Sequence, residues 1–323
     1  MSSTLKDKLF HKQSGIITYG MTPPKSSHTP EKIREIADKQ IERLKDIGID
    51  GLVLYDVQDE AERTDKDRPF PYLKALDPTE YYRDYLKQEL GIPAIIYHCV
   101  ANEGPDKLAQ WILQDRDEQR FTVYVGASSS RQQVQIRLPE AYRMSGILNE
   151  QLLPGGVVIP ERHRSKGDEH LRARAKQESG CGFFISQATY DVEASKSFLS
   201  DYYYHSRENG LDMVPILFNI APCGSAKTLE FMKWLGISIP KWLENELVHS
   251  QDILDKSVEL SRKVFRELYR FGVEKGIPIG CSVESVSTRK VEIEASIQLL
   301  KDIRSDMDEL SAQLNETAQP AVL

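Results

Sequence analysis

Apolar runs rich in β-branched and aromatic residues, each closed by turn residues, recur eight times along the chain. They predict strands at 15–22, 51–56, 93–100, 120–127, 155–160, 181–188, 213–220 and 277–284. Helix-period segments alternate with them. The clearest is "PEKIREIADKQIERLKDIG" (30–48), with Pro30 in the first turn, Ile33, Ile36, Ala37, Ile41 and Leu44 on one stripe, and Gly48 as the stop. Strands such as "MVPILFNI" and "GFFISQA" are apolar almost throughout rather than alternating, the mark of strands covered on both faces. Eight such units fit a (β/α)8 TIM barrel, a fold of roughly 250 residues plus insertions. An open doubly wound sheet would place a glycine-rich turn after the first strand; this chain has Thr22-Pro23-Pro24.

No repeat or low-complexity linker divides the chain, so residues 1–323 read as one domain. The barrel spans about 15–288, an amphipathic C-terminal helix about 289–314, and a disordered tail 315–323. That helix aligns Ile293, Ile297, Leu300, Ile303, Met307 and Leu310, a stripe for packing across the barrel or for a homo-oligomer interface.

Composition narrows the function classes. With 40% hydrophobic and 28% charged residues the chain can bury a sizeable core, and its net charge of −7 with scattered Lys and Arg argues against nucleic acid as a partner. The N-terminus lacks a signal-peptide core, and no apolar run is long enough to span a membrane. Four cysteines (Cys99, Cys181, Cys223, Cys281) stand far apart within apolar segments, which predicts reduced thiols and a cytoplasmic location.

Barrel chemistry sits at the C-terminal ends of the strands. The predicted ends carry Thr22, Asp56, His98, Asn102, Ser128, Glu161, His163, Gln187, Asp191, Asn219, Cys223 and Glu284. Amides that read donor and acceptor patterns, with acids for proton transfer, suit a small heterocyclic ligand such as a pterin or flavin. A zinc-thiolate site built from His98, Cys99, Cys223 and Cys281 is an alternative, and "CGSAKT" (223–228) offers Ser225 and Lys227 to a phosphate.

Within this frame "GCGFFISQATYD" (180–191), "MVPILFNIAP", "LGISIPKWLENEL" (235–247), "VVIPERHRS" and "IITYGMTPP" resemble, in order and spacing, the methylenetetrahydrofolate reductase family. The resemblance implies a reductase of folate one-carbon metabolism that acts on a tetrahydrofolate derivative with bound FAD. It assigns Gln187 to the pterin, His163 and Lys176 to the flavin, and keeps the tyrosine after strand two (Tyr55) and the cysteine ending strand three (Cys99). Asn219, Gly20 and Ser128 join Gln187 as substrate positions, and Tyr55, His98 and Glu161 join the cofactor positions.

The departures are specific. The family's catalytic glutamate on strand one falls on Gly20, and its Arg-Gly-Asp falls on Gly126-Ala127-Ser128. An arginine falls on Ala175, a tyrosine on Ile159 and a histidine on Ile96. Each lost arginine removes a charge-assisted bond to a flavin diphosphate of about 1.5–3 kcal/mol, which leaves a flavin-independent folate protein or a non-redox one-carbon enzyme as the alternative. Asp56 and Glu284 are the expected replacements for the missing acid, and Gly20 is expected to leave space for a ligand or water.

Overall fold

The computed structural model describes residues 3–59, 64–127 and 134–318, with the side chains of 315–318 left aside. Eight parallel strands close into a barrel in chain order: β1 (Ile17–Met21), β2 (Gly51–Leu54), β3 (Ala94–Cys99), β4 (Arg120–Val125), β5 (Leu152–Val158), β6 (Phe184–Ala188), β7 (Ile216–Ile220) and β8 (Ile279–Glu284). All eight coincide with predicted runs. The helices are α1 (Leu5–Phe10), α2 (Pro30–Leu44), α3 (Pro78–Tyr81), α4 (Lys87–Leu90), α5 (Pro105–Ile112), α6 (Leu138–Leu148), α7 (Pro160–Lys166), α8 (Glu169–Glu178), α9 (Val192–Glu208), α10 (Ala226–Trp234), α11 (Lys241–Val248), α12 (Ile253–Glu274) and α13 (Lys290–Ala318). The fold is a (β/α)8 TIM barrel. Among the described residues no helix is long and apolar enough to cross a membrane.

Strand alternation sorts the core into two layers. Ile16, Val53, Ile95, Tyr97, Phe121, Val123, Phe183, Ile185 and Leu217 fill the barrel interior. Their sequence neighbours, among them Ile17, Leu52, Ile96 and Phe218, pack outward against the helices. Helix α1, which periodicity did not reveal, inserts Leu5 and Leu9 into the interior cluster. It is stabilised by a capping box: the Asp7 amide donates to Thr4 Oγ1 at 3.2 Å, and the Thr4 amide donates to Asp7 Oδ2 at 3.0 Å.

Helix α2 starts as predicted, with Thr29 capping and Pro30 in its first turn, and stops near Gly48 at φ +70°. Helix α13 runs to Ala318, past the predicted end at 314, and residues 319–323 of the predicted tail lie outside the described residues. It buries Ile297, Leu299, Leu300, Ile303, Met307 and Leu310 against the barrel's own helices.

Candidate functional site

Two polar groupings stand out, one on the barrel axis and one beside it. On the axis Gly20 of β1 is in register with Glu284 of β8. A Cβ built on Gly20 would lie 2.9 Å from Tyr55 Oη, 3.0 Å from Tyr55 Cε2 and 3.1 Å from Glu284 Cβ. The space left by the family's acid is therefore filled from within by the Tyr55 ring, and the expected opening for a ligand or water at Gly20 does not exist.

An acid nevertheless stands at this level, one strand away. Glu284 Oε1 accepts from Asn219 Nδ2 at 2.9 Å. Burial raises its pKa, although Tyr55 and Asn219 pull the other way. The Tyr55 hydroxyl is near enough to act on this carboxyl but lies outside hydrogen-bond geometry. It and the buried Asn219 Oδ1 and Ser282 Oγ have no hydrogen-bond partner among the described residues. Buried polar atoms without partners are rare and costly, and here they gather at one level of the axis around Glu284.

The second grouping lines a cavity of about 930 Å³, where the N-terminus of α7 meets Gln187 of β6 and the end of α10. Ile159, Glu161, Gln187, Trp234 and Leu235 form its walls, and its charged lining mixes Lys66, Arg162, Arg164 and Lys233 with Asp67 and Glu230. The volume lies within the range of about 300–1,000 Å³ common for small-molecule sites. Gln187 is oriented by donating Nε2 to the Leu235 carbonyl at 3.2 Å. Glu161 Oε1 accepts from the Tyr190 amide at 3.3 Å, while Oε2 is buried without a partner among the described residues. Burial pushes the Glu161 carboxyl up to about 8, despite the backbone amides that favour its ionised form. It is therefore neutral near pH 7, able to donate one hydrogen bond and accept another.

Trp234 and the four basic residues were not anticipated. Arg164 follows the Pro-Glu-x-His segment and Trp234 precedes the Gly236-Ile237 turn, so both flank motifs the sequence already marks. Arg164 is held by Asp191 at 2.6 Å and Arg162 by Glu169 at 3.3 Å, which fixes their positions at the rim.

Several predicted site residues lie elsewhere. His98 points outward with Ile96, because Tyr97 and Cys99 take the inner face. It stacks on Trp111 at a centroid distance of 4.1 Å and pairs with Glu103. His163 is buried on the far side of α7, bonded to Asp201 at 3.0 Å. Lys176 sits behind β5, where its ammonium donates to the Val157 carbonyl and burial lowers its pKa. Asp56 joins strand ends: Oδ2 accepts from the Cys99 amide at 3.1 Å and Oδ1 from Gln58 at 2.6 Å. Ser128 lies outside the described residues.

The residues present do not fit the family's flavin. Of the five positions assigned to it, His98, His163 and Lys176 face the outer shell, Tyr55 lies in the barrel interior and Glu161 alone lines the cavity, while Gly126 and Ala127 offer no charge. The zinc set fails on geometry as well, since His98 and Cys281 face outward while Cys99 does not. The "CGSAKT" loop is already filled by an internal anion: buried Glu292 accepts from the Gly224 amide at 3.1 Å and from Thr228 Oγ1 at 3.2 Å. Ser225 caps α10 and Lys227 lies over the Phe70 ring, so neither is set for a phosphate.

The sequence model for methylenetetrahydrofolate reductase matches residues 157–276, the stretch that carries Glu161, Gln187, Asn219 and Trp234. An uncharacterized protein from Clostridium thermocellum, which binds two copies of 5-methyl-5,6,7,8-tetrahydrofolic acid, is 53% identical to this chain. The match covers 93% of this chain and 99% of that one, with a TM-score of 0.83. Dihydropteroate synthases of Xanthomonas albilineans and Vibrio fischeri ES114 align over 95% of this chain and 94% and 95% of their own. Their identities are 11% and 12% and both TM-scores are 0.45, too distant to bear on the site. No curated protein matches. Motif order, the matched family segment and the 53%-identical barrel agree: the chain belongs to the methylenetetrahydrofolate reductase family, without that family's strand-one glutamate or its Arg-Gly-Asp.

Proposed function

We propose that this chain is a flavin-independent binder of reduced folate, and that the cavity at Glu161 and Gln187 is where the folate docks. The observation that carries the reading is a neutral, half-satisfied Glu161 beside Gln187 in a cavity with one aromatic wall and four cations among its charged lining. A pterin presents an adjacent acceptor and donors along one edge, which a protonated carboxyl and an amide can match. Trp234, its ring stacked with Phe231 and under the Arg68 guanidinium, closes one wall, and Arg162, Arg164, Lys233 and Lys66 suit the carboxylates of a folate's glutamate tail. The 53%-identical protein's two bound 5-methyltetrahydrofolate molecules support the ligand class and allow for a second copy.

Calorimetric titration with 5-methyltetrahydrofolate tests this. Saturable binding is expected, with Gln187→Ala weakening it about 10-fold, the loss of a hydrogen bond worth about 1.4 kcal/mol. The purified protein should show no flavin absorption band, even after incubation with FAD. Failure to bind any reduced folate would remove the proposal.

A second reading rests on Glu284. Its raised pKa and its place beside Gly20 suit a proton donor that has moved from β1 to β8, in an enzyme that transforms a folate-bound one-carbon unit. Turnover of methylenetetrahydrofolate that disappears in Glu284→Gln, with folate binding retained, would support it. A wild-type protein that leaves this substrate unchanged would exclude it.

A further inference from the structure

Away from the cavity, three helices bring a second set of chemistry-bearing side chains together. His163 lies on α7, His170 on the first turn of α8, and Asp201 and His205 one turn apart on the same face of α9. His163, His170 and Asp201 each present one ligating atom, all within 4.8 Å of one another, and among the described residues this is the one group of its kind. The His163 and His170 rings meet edge-on at 5.4 Å, and the His205 ring lies 5.7 Å from that of His170.

A plain structural role explains part of this. His163 Nε2 and Asp201 Oδ2, 3.0 Å apart, would join α7 to α9 as an ordinary pair of a buried ring and an exposed carboxylate. It does not explain why His163 Nδ1 and His170 Nδ1 are both buried with no partner among the described residues. Nor does it explain a third imidazole on the same face, since clustered imidazoles repel one another once protonated.

We propose that His163, His170 and Asp201 form a binding site for a first-row divalent metal, with zinc as the best match to two imidazoles and a carboxylate. His205, its ring 5.7 Å from that of His170, is the next imidazole on this face. Zinc bonds of about 2.0–2.1 Å in a tetrahedron place ligand atoms roughly 3.4 Å apart, so the group closes by rotamer adjustment rather than backbone movement. The metal would bind α7, α8 and α9 together two residues beyond Glu161, on the opposite side of α7 from the cavity. This site does not depend on the folate reading.

Zinc sulfate titrated calorimetrically into the purified full chain tests the proposal, with cobalt(II) as a spectroscopic probe. One zinc per chain is expected at micromolar or lower Kd, with intense visible cobalt bands of tetrahedral type. His170→Ala and Asp201→Asn should each weaken zinc at least tenfold and remove those bands, while His28→Ala leaves both unchanged. Far-ultraviolet circular dichroism identifies any variant that has lost its fold, and His170 and Asp201 provide two independent chances to read the effect in a folded protein. Absence of saturable zinc binding in the wild type, or wild-type affinity in both folded variants, would overturn the proposal.

Discussion

Glu161 is the side chain whose protonation state most directly links the cavity to stability. Its folded pKa of about 8 exceeds the 4.5 of an unperturbed carboxyl. Between those values the folded state holds a proton that the unfolded state has released, so stability falls as pH rises. The contribution is fully present below pH 4.5 and lost by the time pH passes 8. The shift corresponds to an upper bound of about 5 kcal/mol. Glu161→Gln mimics the neutral acid at every pH. The variant's Tm should therefore change much less than the wild type's between pH 5 and pH 8.5, and exceed it at the alkaline end. Parallel melting curves for the two proteins would place Glu161 in a wetter setting.

At the scale of elements, the strands and helices could be read from the sequence, but the direction of individual side chains was harder. Hydrophobic runs identify all eight strands because every parallel strand is covered on both faces. The same coverage removes the alternation that would have shown His98 as an outward residue. Helical phase gave a signal that position along the chain did not: Glu161 and His163, two residues apart on α7, point about 200° away from each other. A helix that turns Glu161 to the cavity must turn His163 to α9. Gly20 was legible as the missing acid and Glu284 as one candidate to replace it, but the filled space at Gly20 was not, because Tyr55, just after β2, reaches it from across the sheet. This layer yields a prediction across three strands. Restoring the acid with Gly20→Glu overpacks it against Tyr55 and should cost about 1–3 kcal/mol or more. Tyr55→Ala should recover part of that loss in the double variant, a coupling that denaturant titration of the four proteins would measure. Additive effects would mean that Tyr55 moves aside without cost.

For the whole molecule, closing the barrel and anchoring α13 are linked problems. The hydrogen-bonded ring of strands has no free edge, so the last helix joins the fold through side chains alone. Its apolar stripe supplies area, while two buried acids set its placement. Glu292 reaches the loop after β7, and Asp306, 1% exposed, receives Arg262 of α12 through Nε and Nη2 at 2.6 and 2.8 Å and also pairs with Arg266. Burial alone would raise the Asp306 pKa, but the two guanidiniums outweigh it and hold the carboxyl below its ordinary 3.8. A depressed folded pKa adds stability that is present above pH 3.8 and is lost as pH falls through the folded value. Asp306→Asn should therefore destabilise the protein at pH 7 by about 1–3 kcal/mol, the loss of charge-assisted bonds to two half-exposed arginines. Part of that difference should disappear as both proteins are taken toward pH 3. Urea unfolding followed by tyrosine and tryptophan fluorescence at pH 7 and at the lowest pH where both remain folded would measure it. An equal gap at the two pH values would mean that α13 is held by its apolar stripe and that the Asp306 charge contributes nothing.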